Sequence, residues 1–152
     1  MIMCDLDGVL FDASPFVDKY SIDGKLNWDE YLKHQLEIKP IPEMVPIIKA
    51  LILMDPSNFI FASGRPESTR ADTVKSLNQC LGVVYGYRLC MRPRDYEFST
   101  LWLKMEWYHQ YQPDLIIEDD PEVVERALQD HFTVLQVHGY FKRGSKYQTP
   151  YK

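Results

Sequence analysis

The chain of 152 residues is poor in cysteine, and its three, Cys4, Cys80 and Cys90, are odd in number and irregularly spaced. That excludes a disulfide framework or a zinc knuckle and makes a reducing, cytoplasmic setting the expectation. No basic leader and no long apolar segment stands at the start, so neither a signal peptide nor a membrane anchor is expected. Positive charge is scarce as well. Lys and Arg total 17 against 22 Asp and Glu, a net charge of -5, which argues against broad duplex binding by phosphate neutralisation. A nucleic-acid end or a mononucleotide remains open as a ligand. Neither internal repeats nor low-complexity segments occur.

What is present is the composition of one soluble globular domain, 45% hydrophobic and 26% charged. Short apolar runs at Met1 to Cys4, Asn58 to Ala62, Tyr87 to Met91, Asp114 to Ile117 and Thr133 to Val137 read as strands. Helical spacing lies between them, so the expected class is α/β, with a mostly parallel five-stranded sheet. One helix is expected near Asn27 to Ile38, with Trp28, Tyr31, Leu32 and Leu36 on one face. A second carries Met44, Ile47, Ile48, Leu51 and Ile52, with Pro46 in its first turn. Pro66 is expected to open a third, buried through Ala71, Val74, Leu77 and Leu81 and stopped by Gly82. Thr100 is expected to cap a fourth. Asp120 before Pro121 caps a fifth that buries Val123, Val124, Ala127 and Leu128.

The stretch DLDGVLFD, Asp5 to Asp12, carries the most chemistry. Two carboxylates at i, i+2 after a strand are expected to point the same way. About 4 Å apart, they repel by about 4 kcal/mol at an effective dielectric near 20, so the pair calls for a cation or for split protonation. Gly8 lets the chain turn.

Three later features fall at the C-terminal ends of strands, where open α/β sheets place their sites. Ser63 and Gly64 in FASGRP would form a phosphate cradle with the start of the next helix, and Arg65 would be a forked donor. Lys104 leans toward its helix N-terminus and would reach the same sheet edge. The acidic triplet Glu118, Asp119 and Asp120 ends a buried strand. Since Asp120 serves as a cap, Glu118 and Asp119 are the metal candidates.

In this order, DLDGV, SGR, Lys and an acidic pair, the chain resembles the haloacid dehalogenase superfamily of phosphohydrolases along nearly its whole length. The resemblance implies a three-layer Rossmann-like fold and an aspartyl-phosphate mechanism. Asp5 would be the nucleophile and Asp7 the acid/base, with Ser63 and Lys104 steadying the phosphoryl group. Mg2+ would be held by Asp5, the Asp7 carbonyl and an acid of the 118–119 pair. The stretches SGRPESTRADT, LCMRPRDYEF, LKMEW, IIEDDPEVVERA and LQVHGYF are similar to phosphatase domains of phage-type polynucleotide kinase/3′-phosphatases and their stand-alone relatives. This implies Arg65, Arg70 and Arg92 as phosphate or nucleotide contacts. Glu118 and Asp120 stand where such relatives often show Asp and Arg. No G-x-x-x-x-G-K-[ST] occurs, so no kinase domain is expected in this chain.

The expected partner is a phosphorylated nucleotide or a nucleic-acid 3′-end, with no membrane. A mononucleotide phosphatase, another small-molecule phosphatase and a noncatalytic metal module are the alternatives. An EF-hand from Asp5 is weakened by Val9 and Phe16, which offer no ligand where one is needed. Cys4 and Cys80 read as packed thiols rather than nucleophiles. The domain is expected over 1–138. Within it, residues 11–42 form either a small cap over the site or a surface excursion. The basic, aromatic tail 139–152 suits single-stranded nucleic acid or is a solvated end.

Overall fold

In a computed structural model, which describes residues 1–22, 25–82 and 86–137, the elements run in alternation. They are β1 (Ile2–Cys4), α1 (Ser14–Tyr20), β2 (Ser21–Ile22), β3 (Lys25–Leu26), α2 (Trp28–Lys33) and α3 (Met44–Met54). Then come β4 (Phe59–Pro66), α4 (Arg70–Leu81), β5 (Arg88–Arg92), α5 (Thr100–Tyr111), β6 (Leu115–Glu118), α6 (Pro121–Gln129) and β7 (Val134–Gln136). Five strands form one sheet in the order β5-β4-β1-β6-β7, and every pairing is parallel. This is the expected three-layer, Rossmann-like α/β architecture. The tail 139–152 lies outside the described residues.

Strand alternation sorts the core into two layers. Cys4, Phe59, Phe61 and Ile117 face one side, where they pack with Ile48 and Ile52 of α3 and with Leu77 and Leu81 of α4. Met3, Ile60, Ala62 and Ile116 face the other, against Met105 and Tyr108 of α5 and Val123 and Ala127 of α6. Successive residues point to opposite faces, so a strand covered on both sides is apolar throughout. Each large apolar side chain buried this way contributes about 1.5–3 kcal/mol.

The order reverses at β1, which lies between β4 and β6, so the C-terminal end of β1 opens at the switch point of the sheet. Residues 11–42 leave that edge and return. The short antiparallel pair β2/β3 joins α1 to α2, and a bridge from Phe11 to Pro40 closes the base.

Several sequence expectations are corrected. Pro66 ends β4 rather than opening a helix, because the ladder with β5 continues past Ser63, across an irregularity, to pair Pro66 with Arg92. A 3-10 turn at Glu67–Thr69 intervenes, and α4 starts at Arg70. Its buried face is Thr73, Ser76, Leu77 and Leu81, with Ala71 exposed. The helix expected over 27–38 breaks after Lys33 into a 3-10 turn at Gln35–Glu37, which leaves Leu36 exposed. Ile47 on α3 and Leu128 on α6 are also exposed, each standing at the edge of its apolar stripe. The α5 cap is Ser99, whose hydroxyl accepts from the Trp102 N–H, and Thr100 is the first helical residue. Asp120 caps α6 as expected, accepting from the Glu122 N–H at 2.9 Å.

Candidate active site

β1 stops at Cys4, and the next residues fold into a compact turn. The Asp5 N–H reaches the Ile117 carbonyl at 2.9 Å, while Leu10 and Phe11 N–H groups both return to the Leu6 carbonyl at 2.8 Å. Leu6, Val9, Leu10 and Phe11 are buried and anchor the turn in the core. Because Asp5 and Asp7 lie beyond the strand, simple alternation does not apply. The two carboxylates have different partners.

Asp5 faces a buried cluster. Lys104 on α5 places its ammonium 3.0 Å from Asp5 Oδ1 and 2.7 Å from Glu118 Oε2. Asp5, Glu118 and Asp119 offer carboxylate oxygens that all lie within 4.8 Å of one another. Burial is the chief cause that pushes the Asp5 carboxyl up to about 7, with Lys104 pulling it down and Glu118 and Asp7 adding to the rise. Burial first, then Glu118 and Asp5, raises Asp119 well above the ordinary carboxylate range. Three acids against one ammonium is a surplus of negative charge that a divalent cation would offset.

The three acids differ in how free they are. Glu118 Oε2 accepts from Lys104 and from the Tyr108 hydroxyl at 3.1 Å, and its Oε1 accepts from the Asp119 and Asp120 N–H groups at 3.1 and 3.2 Å. Both oxygens are therefore engaged by the protein. Asp119 instead lies over Gly8, where a Cβ would stand 2.1 Å from Asp119 Oδ2, and Gly8 has φ +94°. That position requires glycine twice, for the left-handed backbone and for the carboxylate above it. The donor set, carboxylate oxygens with the nearby backbone, fits a hard cation such as Mg2+.

Asp7 is held by a fork. Arg65, 1% exposed, donates from Nε to Oδ2 at 2.8 Å and from Nη2 to Oδ1 at 2.6 Å. Its guanidinium lies 5.2 Å from the centre of the Phe11 ring. Tyr31 of α2, also buried, hydrogen-bonds to Asp7 through its hydroxyl.

Ser63, buried on β4, accepts the Arg65 N–H on its hydroxyl oxygen at 3.2 Å. At Gly64 an added Cβ would meet Thr100 Cγ2 at 2.9 Å, so glycine lets the start of α5 approach the strand. Arg92, at the end of β5, donates to the Gly64 and Phe98 carbonyls and to the Thr100 hydroxyl at 3.3, 2.8 and 2.7 Å. Arg70 stands apart, occupied by the Glu67 carboxylate and the Leu89 carbonyl, and none of its partners belongs to the acidic cluster.

Asp5, Lys104, Glu118 and Asp119 thus come together in one cluster, and Asp7 and Arg65 form a second pair beside it. The sequence reading missed Tyr108 and Tyr31. Tyr108 follows Lys104 by four positions, one helical turn, and that spacing is a usable signal. Tyr31 comes from a segment whose path over the sheet no local pattern reveals. Burial raises the Cys4 thiol well above its ordinary range and lifts Cys80 to about 11, in keeping with packed rather than nucleophilic thiols.

No protein-family model and no curated protein sequence matches the chain. Solved structures do. A chain in the structure of the Pnkp1/Rnl/Hen1 RNA repair complex superposes with a TM-score of 0.66 at 17% identity, over 90% of this chain and 41% of that one. A second structure of the Pnkp1/Rnl/Hen1 complex gives 0.64 at 18% identity, over 90% and 45%. A haloacid dehalogenase-like family hydrolase from Streptococcus pneumoniae gives 0.60 at 15% identity, over 98% of this chain and 90% of that one. The chain shares the three-layer α/β fold of these structures. It spans less than half the length of the two repair-complex chains. Within this fold the acidic cluster occupies the C-terminal edge of β1 and β6. Among the described residues no helix is long and apolar enough to cross a membrane.

Proposed function

We propose that the chain is a Mg2+-dependent phosphohydrolase that removes a phosphate from a nucleotide or from a polynucleotide 3′-end. The observation that carries this reading is the buried Asp5 carboxylate at the end of β1, faced by Lys104 and Asp119 within a cluster of surplus negative charge. A solvated acid needs no such surroundings. An acid that attacks phosphorus must be held in line, and its charge must be offset while a dianionic ester approaches.

In the proposed reaction an Asp5 oxygen forms a bond to phosphorus as the ester P–O bond breaks. Asp7, once one of its oxygens leaves the Arg65 fork and takes up a proton, gives that proton to the leaving oxygen and then takes one from the water that cleaves the aspartyl-phosphate. Arg65 and Tyr31 set the direction of the Asp7 carboxylate. Lys104, fixed by Glu118, aims its ammonium at Asp5 and at the incoming phosphoryl oxygens, and the Ser63 hydroxyl supplies a further donor. Asp5, the Asp7 carbonyl and Asp119 would hold Mg2+, while Glu118 serves as the anchor of Lys104. The ion supplies charge neutralisation at the phosphoryl oxygens.

The nucleotide part of the reading rests on the stretches SGRPESTRADT, LCMRPRDYEF, LKMEW, IIEDDPEVVERA and LQVHGYF and is in keeping with the likeness in fold to a chain of an RNA repair complex. The test is Mg2+-dependent phosphate release from a 3′-phosphorylated oligonucleotide and from deoxynucleoside monophosphates. Asp5→Asn, nearly isosteric and a poor nucleophile, is expected to abolish turnover in a protein that still folds. Retained turnover would sink the aspartyl-phosphate mechanism, and turnover of sugar phosphates alone would sink the nucleotide assignment.

A further inference from the structure

Tyr108 stands on α5 one helical turn beyond Lys104, and the two side chains reach the same atom. The Lys104 ammonium lies 2.7 Å from Glu118 Oε2, and the Tyr108 hydroxyl donates to that oxygen at 3.1 Å. Glu118 Oε1 takes the Asp119 and Asp120 N–H groups at 3.1 and 3.2 Å. A carboxylate offers about four lone-pair sites, and these donors fill them.

The hydroxyl reaches this place through apolar surroundings. Tyr108 is 1% exposed and lies in the core layer with Met3, Ile60, Met105, Ile116 and Ala127, its ring edge-on to Phe132 with centroids 6.0 Å apart. A phenylalanine would fill that layer without burying a polar group, and a buried hydroxyl is unfavourable unless it is hydrogen-bonded. The hydrogen bond it makes goes to the anchor of Lys104. Burial, then the Glu118 charge, raises the phenol well above its ordinary range, so the hydroxyl stays a donor.

Lys104 is shared unequally between two acids. Its ammonium is nearer to Glu118 Oε2, at 2.7 Å, than to Asp5 Oδ1, at 3.0 Å. In a buried site an acceptor left with fewer donors binds the remaining one more strongly. Without the phenol, Oε2 would draw the ammonium toward Glu118 and away from Asp5. With it, the carboxylate is held in one orientation, and Lys104 keeps its reach toward Asp5 and toward the place of the transferring phosphoryl group.

We infer that Tyr108 is a positioning residue of the proposed reaction, whose hydroxyl, acting through Glu118, sets how the Lys104 ammonium is divided between its anchor and the attacking Asp5. This role rests on the phosphohydrolase reading and adds to it a side chain that does not touch substrate.

Tyr108→Phe removes the oxygen and keeps the ring. With Mg2+ and p-nitrophenyl phosphate, kcat is expected to fall by about tenfold or more while KM changes by less than about twofold, since a misplaced ammonium is felt most in the transition state. Orthovanadate, which mimics the five-coordinate transferring group, reads the same effect at equilibrium. Its binding with Mg2+ is expected to weaken by about tenfold, with binding of inorganic phosphate nearly unchanged. Phe132→Leu is the control for packing, because it loosens the same ring contact and leaves the hydroxyl. It is expected to lower the melting temperature at least as much as Tyr108→Phe, with kcat and vanadate binding close to wild type. In a Glu118→Asp background, whose shorter side chain withdraws the shared oxygen, Tyr108→Phe is expected to weaken vanadate binding little further. Unchanged kcat and vanadate binding in Tyr108→Phe, losses that Phe132→Leu reproduces, or the full loss repeated in the Glu118→Asp background would each overturn the role of Tyr108. The wild type decides the reading beneath it. If the wild type neither hydrolyses p-nitrophenyl phosphate nor binds vanadate, the phosphohydrolase reading falls and the role falls with it, whereas wild-type turnover that Tyr108→Phe leaves undisturbed sinks the role alone.

Discussion

Arg65 grips Asp7 with two nearly parallel hydrogen bonds, Nε to Oδ2 at 2.8 Å and Nη2 to Oδ1 at 2.6 Å, beneath the ring of Phe11. The pair joins residues 58 positions apart, so it ties the end of β4 to the turn after β1. Such a fork fixes both the place and the plane of the carboxylate, which a single lysine ammonium cannot do. Truncating one partner of a buried pair leaves the other charge uncompensated, at a cost of about 3–5 kcal/mol. Arg65→Ala is therefore expected to lower the urea midpoint severely. Arg65→Lys retains the charge and loses the fork, so it is expected to recover much of the stability and little of the turnover. Equal recovery of both would show that charge alone suffices.

Gly8 and Asp119 make a second close relationship. A Cβ at residue 8 would lie 2.1 Å from Asp119 Oδ2, and the backbone there has φ +94°. Gly8→Ala is expected to destabilise the fold by about 1–2 kcal/mol through the left-handed backbone alone and to displace Asp119 as well. The sensitive readout is the rise in melting temperature on adding Mg2+, which is expected to shrink or vanish. A Gly8→Ala protein with an undiminished Mg2+ response would show that Asp119 plays no part in holding the ion.

The three central strands, β4, β1 and β6, were legible because strands covered on both faces are apolar throughout, and each of these runs ended near a residue with chemistry. Lys104 and the 118–119 pair could be placed for the same reason, since side-chain lean and strand ends are local properties. What local pattern did not reveal is tertiary. Ser63, Gly64 and Arg65 look like a turn, yet pairing with β5 keeps them in a strand up to Pro66. Arg65 reads as a donor for phosphate, whereas the folded chain commits it to Asp7. Glu118 and Asp119 are equivalent as neighbours in sequence and differ only once Lys104, Tyr108 and two backbone N–H groups converge on one of them.

That difference is measurable. Asp119→Asn is expected to weaken the apparent Mg2+ affinity strongly while costing little stability without metal, because it relieves crowded negative charge. Glu118→Gln is expected to do the reverse. It removes the charge that fixes Lys104 and lowers the metal-free melting temperature, with a smaller change in the Mg2+ concentration needed for half-maximal activity. Interchanged results would reassign the metal ligand to Glu118.

The crowded acids also set a pH dependence. A carboxyl whose folded pKa lies above its unfolded value binds more protons when folded, so stability falls as pH rises between the two values. For Asp5 the window runs from the ordinary 3.8 to about 7, and Asp119 shifts in the same direction. The acids held below their usual range, Glu30, Asp55, Glu67, Asp114 and the half-buried Asp130, act with the opposite sign, but they are lowered from ordinary values of 3.8 and 4.5, so their effect falls mostly below about pH 5. Lys104 is raised, and its contribution fades only as pH climbs above the ordinary 10.5. In EDTA the melting temperature is therefore expected to drop between roughly pH 5 and pH 7.5. Saturating Mg2+ binds the ionised cluster and is expected to remove most of that drop, so the stabilisation it confers grows with pH across the same interval. A melting temperature in EDTA that stays level or rises over this range would mean that the Asp5 and Asp119 carboxyls are not desolvated together in the folded protein.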